Sequence, residues 1–123
     1  MWKYLLIALI ALLSACSNAG ANTPPPQGTL TIDTIKVDIA ESEPVQVFVH
    51  VQGYLGDGCT SLGAIEQQRN DNVVEVTIQA RHSGAEVCTM IAPVVDERIQ
   101  LEGDFPPGGY IVRVNGVEQI FTI

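Results

Sequence analysis

Three cysteines and two histidines are the residues of this chain that carry the most chemistry: Cys16, Cys59, Cys88, His50 and His82. A cysteine nucleophile needs a base within reach, and neither histidine sits in a recognisable catalytic motif. A blue-copper centre needs a cysteine, two histidines and a weak axial thioether. Cys88-Thr89-Met90 follows closely on His82, yet no histidine stands between that cysteine and Met90. No spacing of two cysteines and two histidines fits structural zinc. Acidic residues fall in turns, among them Asp57 and Asp71, and calcium favours oxygen-rich loops. No loop carries a spaced Asp-x-Asp-x-Asp run. His82, Met90, Asp57 and Asp71 are the residues from which a metal site would have to be built, and none is assigned. Gly56-Asp57-Gly58 lacks the helix and lysine of a phosphate loop. No catalytic residue and no cofactor is expected, and the chain is read as a non-enzyme.

The elements that position these residues differ along the chain. Of 123 residues, 46% are apolar, but residues 1–15 hold 13 of the 57. Beyond them valine and isoleucine number 24 and leucine 4. Strands favour β-branched residues, whereas a helical bundle would lean on leucine and alanine. After Cys16 there are five basic and fourteen acidic residues, a net charge of −9. That charge disfavours nucleic acid.

The N-terminus reads as an export signal. Lys3 precedes an apolar run from Leu5 to Leu13, about half of what spanning a bilayer takes. Leu13-Ser14-Ala15-Cys16 resembles the lipobox of bacterial lipoproteins. The resemblance implies cleavage after residue 15 and a lipid-modified Cys16 that anchors the chain to the cell membrane, the outer one in a Gram-negative cell. More than one acyl chain makes such an anchor stable. Residues 16–28 then form a tether. Pro24-Pro25-Pro26 stiffens it, and twelve extended residues reach at most about 40 Å. With Cys16 lipidated, Cys59 and Cys88 are an even pair in an oxidising compartment, which favours a disulfide.

Residues 29–123 form the folded domain. Leu30, Ile32, Ile35, Val37 and Ile39 alternate with polar residues, and a phase slip near Asp33-Thr34 predicts a bulge or a switch of sheet. Val45, Val47, Val49 and Val51 share one strand face, opposite Gln46, Phe48, His50 and Gln52. Gly53 and the Gly56–Gly58 cluster should end that strand. Phe48 is expected in the core; if exposed, it would begin a binding surface with His50. Further strands are expected over 59–68, 74–80, 86–91 and 97–101. Asn115-Gly116 supplies the positive φ angles of a type I′ hairpin turn. The total is seven or eight short strands with frequent turn signals, an all-β antiparallel sandwich.

Pro106-Pro107-Gly108-Gly109-Tyr110 through Val114-Asn115-Gly116 resembles the final hairpin of bacterial Ig-like modules. The whole chain is similar to small bacterial lipoproteins with one Ig-like or fibronectin-like domain. That resemblance implies a binding or structural module of the cell envelope with a protein or glycan partner. The alternative is a copper- or calcium-binding envelope protein, and a small envelope enzyme stands last.

Overall fold

The computed structural model describes residues 27–123. The signal, Cys16 and most of the tether lie outside the described residues. Seven strands follow in order: β1 (Leu30–Ala40), β2 (Gln46–Leu55), β3 (Thr60–Asn70), β4 (Val73–His82), β5 (Val94–Gln100), β6 (Gly109–Val114) and β7 (Val117–Thr122). They form two sheets, ordered β1-β2-β5 and β3-β4-β6-β7. The expected sandwich is therefore present.

The core is the layer between the sheets, and period-two alternation builds it. Val47, Val49 and Val51 of β2 are wholly buried, and so are Val112 and Val114 of β6. Val74, Val76 and Ile78 of β4, in the same sheet as β6, join them. Each such side chain contributes about 1.5–3 kcal/mol on burial. Phe105, Tyr110 and Phe121 close one end of the core, with Tyr110 and Phe121 stacked at 5.3 Å. The Tyr110 hydroxyl donates back to the Pro106 carbonyl at 2.5 Å. A tyrosine opening a strand and bonding a few residues upstream is the tyrosine corner of immunoglobulin-type sandwiches.

The phase slip at Asp33 is a register shift between Ile32 and Thr34. It lets Ile32 and Ile35, an odd number of residues apart, both pack on the core. Two expectations need correcting. Gly53 does not end its strand; it pairs with Ile32 on one side and Val95 on the other. A Cβ there would collide with the Thr31 carbonyl, so glycine permits close approach of the backbones. Residues 86–91 form no strand; they belong to an irregular segment between β4 and β5.

One pairing is parallel, that of β4 with β6. The chain leaves β4, returns through β5 in the other sheet, and re-enters beside β4 in the same direction. Asn115 fixes that junction. Its φ of 47° and the 87° of Gly116 make the expected type I′ turn. Its side chain accepts from the Ile78 N–H at 2.8 Å and donates to the Ile78 carbonyl at 2.9 Å. Asn115 thus serves the hairpin and extends the parallel ladder.

Asn115→Ala should lose both bonds and strain the turn, costing about 2–3 kcal/mol. Asn115→Gly keeps the backbone geometry and should cost about 1 kcal/mol less. Urea denaturation checks the order; equal losses would mean that the turn geometry contributes nothing.

Candidate functional site

Four chemistry-bearing residues, Asp57, Cys59, His82 and Cys88, gather at one end of the sandwich. The register of β3 and β4 sets Thr60 opposite His82. The ladder continues one step further, with the Ser83 N–H bonded to the Cys59 carbonyl at 2.9 Å. His82, distant in sequence, is thereby brought beside the turn that carries Asp57 and Cys59.

Cys59 and Cys88 form the expected disulfide, with Cα atoms 5.5 Å apart. It ties the β2–β3 turn to residues 83–93, reinforced by the Gly58 N–H bonded to the Thr89 carbonyl at 2.9 Å. Closing a loop of about 30 residues is worth roughly 3–4 kcal/mol in the chain-entropy account.

Asp57 and His82 flank the bond. Asp57 Oδ1 accepts from the Thr60 hydroxyl at 2.8 Å and the Cys59 N–H at 2.9 Å. Its Oδ2 faces His82 Nε2 at 3.4 Å. His82 Nε2 also lies 3.5 Å from Cys88 Sγ, and its Nδ1 accepts from the Gly84 N–H at 2.9 Å. An accepting Nδ1 carries no proton, so the neutral ring holds its proton on Nε2, facing the cluster. One ligand atom from each of Asp57, Cys59, His82 and Cys88 lies within 4.8 Å of the others. Sequence spacing gave no hint of this grouping, because strand register creates it.

The other candidates lie elsewhere. Asp71 occupies the β3–β4 turn with φ 55°, a full strand away from Asp57, about 36 Å for eleven residues. The two cannot share one ion. Met90 is 89% exposed and reaches out into solvent. His50 and Phe48 lie on the outer face of the three-stranded sheet. His50 pairs with Asp96, and the Arg98 guanidinium covers the Phe48 ring at 3.9 Å. Phe48 is therefore a capped outer-face residue, half-buried, and not core as expected. A cleft of about 680 Å³ opens between Gln27–Leu30 and the end of β4. Among the described residues that line it, Arg81 is the one charged side chain, and none is a histidine, cysteine or carboxylate.

The same end presents an apolar surface. Val87 and Met90 are each 89% exposed, Ile91 74% and Val94 83%. From Ser83 to Val94 the only charged residue is Glu86. The entering chain arrives here too, since Gln27 bridges Arg81 and the Gly28 N–H bonds the Ala80 carbonyl at 3.0 Å.

Asp57 titrates below its ordinary value of 3.8, held down first by the Thr60 hydroxyl and also by the Cys59 N–H and His82. Such a depressed carboxyl stabilises the fold fully above 3.8 and loses that contribution as pH falls through the lowered folded value. Melting temperature should therefore fall more steeply below a pH of about 4 in the wild type than in Asp57→Asn. Parallel curves would contradict the assignment.

The family model described as the ORF11 beta-sandwich domain matches residues 49–123, from mid-β2 to the last residue. The "Uncharacterized 10.2 kDa protein in HgiCIIM 5'region" of Herpetosiphon aurantiacus is 29% identical over 94 residues, 76% of this chain and 100% of the relative. The corresponding protein in the HgiBIM 5'region of the same organism is 30% identical over 82 residues, 67% of this chain and all of the relative. No solved structure matches.

Proposed function

The chain belongs to the ORF11 beta-sandwich domain family, and on that footing we propose that it is a lipid-anchored binding module of the bacterial cell envelope. Cys16 carries the lipid and residues 16–28 are the tether. The segment 83–93, with Val94, is the contact surface. One observation carries this reading: four large apolar side chains stand 74–89% exposed on a segment that a disulfide holds in place. Large apolar side chains left so exposed close together in sequence point to an interaction that covers them. A cross-linked loop loses little conformational freedom on binding, which favours affinity.

The chemistry narrows the partner. Valine, isoleucine and methionine offer dispersion contacts and no directional hydrogen bonds, so an apolar protein surface suits them better than a glycan. The net charge of −9 after Cys16 keeps the module off nucleic acid and off other acidic surfaces.

Two measurements test this. Cys16→Ser should move the protein from the membrane fraction to the soluble fraction of the cell, and an unchanged fraction would refute the anchor. A photo-crosslinking residue at position 90 should give a discrete adduct in intact cells. The same residue at position 120, which is also exposed but lies at the level of Val73 at the far end of β4, should give none. Identical patterns at both positions would refute the contact surface.

A further inference from the structure

A disulfide flanked by an oriented carboxylate and a histidine holds more than a cross-link. We propose that reduction of Cys59–Cys88 turns this cluster into a tetrahedral zinc site, with Cys59 Sγ, Cys88 Sγ, His82 Nε2 and Asp57 Oδ2 as the four ligands. This inference does not depend on the lipid anchor or on the apolar contact surface.

The distances carry it. Tetrahedral zinc has bonds of about 2.3 Å to sulfur and about 2.0–2.2 Å to nitrogen and oxygen. Ligand atoms on such bonds stand about 3.4 Å apart for nitrogen and oxygen, and about 3.5 Å apart for nitrogen and sulfur. His82 Nε2 is already 3.4 Å from Asp57 Oδ2 and 3.5 Å from Cys88 Sγ. The two bonded sulfurs must separate, to about 3.8 Å on zinc–sulfur bonds, and the remaining ligand pairs already lie within 4.8 Å of one another. Their Cα atoms, 5.5 Å apart, leave room for that by side-chain rotation.

The hydrogen bonds to Asp57 suit the role, and the one to His82 must exchange. Asp57 Oδ1 is engaged by Thr60 and the Cys59 N–H, which leaves Oδ2 free for the ion. Orientation of this kind by outer partners is what metal ligands require. His82 turns Nε2 inward because Gly84 engages Nδ1. On ligation the ring proton moves from Nε2 to Nδ1, and the Gly84 N–H turns to water. Gly84 is exposed, with a φ of 84°, so its peptide can reorient.

The chemistry balances. A dithiol reductant gives two electrons and two protons; its own thiols become a disulfide, and Cys59 and Cys88 become thiols. Zinc then displaces both thiol protons to solvent and accepts a lone pair from each thiolate, from the neutral imidazole and from the carboxylate. Two thiolates and an imidazole select zinc over calcium. The consequence is structural: residues 83–93 are pinned by the disulfide when oxidised and by zinc when reduced. They are released only when reduced and metal-free.

The test uses the full chain with Cys16→Ser, which removes the third thiol. The protein is reduced with a phosphine under argon and titrated with cobalt(II). One equivalent should give the intense visible bands of tetrahedral cobalt with sulfur-to-metal charge transfer, and zinc should bleach them. The oxidised chain should give neither. His82→Ala and Asp57→Asn leave both cysteines in place and should each weaken cobalt binding at least about tenfold. Zinc should also raise the melting temperature of the reduced chain. A reduced chain with no saturable tetrahedral spectrum overturns the site. So does one that stays unfolded with zinc present, or one that binds cobalt equally well with both variants.

Discussion

One covalent bond governs the end of this sandwich where Asp57 and His82 meet. Between β4 and β5 the chain runs from Ser83 to Pro93 without regular structure. That is longer than most connections inside a compact domain. Here Cys88 is bonded to Cys59, and Gly58 and Ser83 add backbone hydrogen bonds on either side. The bond lets apolar side chains face solvent in a defined arrangement. Without it, Val87, Met90 and Ile91 would lose their scaffold, and the entropy of a free loop would oppose any partner. The valine core of the sandwich holds the far end of the cross-link rigid, because Cys59 leads directly into β3 and His82 ends β4.

The same bond organises the electrostatics. Asp57 faces inward because Thr60 and the Cys59 N–H hold one of its oxygens. His82 faces inward because strand register delivers it and Gly84 turns its ring. Local hydrogen bonds from Cys59, Thr60 and Gly84 aim the two side chains, and the β3–β4 register brings them together. Both flank the disulfide, so that one ligand atom from each of the four residues lies within 4.8 Å of the others.

Much of the fold was legible in the sequence. The Val47-Val49-Val51 stripe marked a buried strand face, the slip at Asp33 marked the bulge, and Asn115-Gly116 marked the turn. Each is a local signal, written in consecutive residues. An even cysteine pair pointed to the disulfide through compartment chemistry. Residues 86–91 misled, since Val87, Thr89 and Ile91 alternate like a strand. Alternation reports a face, not a partner, and no sheet edge pairs with this segment. Phe48 misled for a related reason: the pattern could not show that Arg98, on a neighbouring strand, would cover it. Gly53 reads as a terminator unless the crowding by Thr31 is known. The bonds of Asn115 to Ile78 and the convergence of Asp57 on His82 depend on pairings between distant strands. No spacing along the chain encodes them.

The central claim is that the Cys59–Cys88 bond holds the 83–93 segment against the domain. Amide hydrogen exchange on oxidised and on reduced, metal-free protein tests it most directly. The account predicts that reduction strips protection from the Gly58 and Ser83 amides, which bond across the cross-linked end, while the buried Val112 amide stays protected. Undiminished protection at Gly58 and Ser83 after reduction would contradict it.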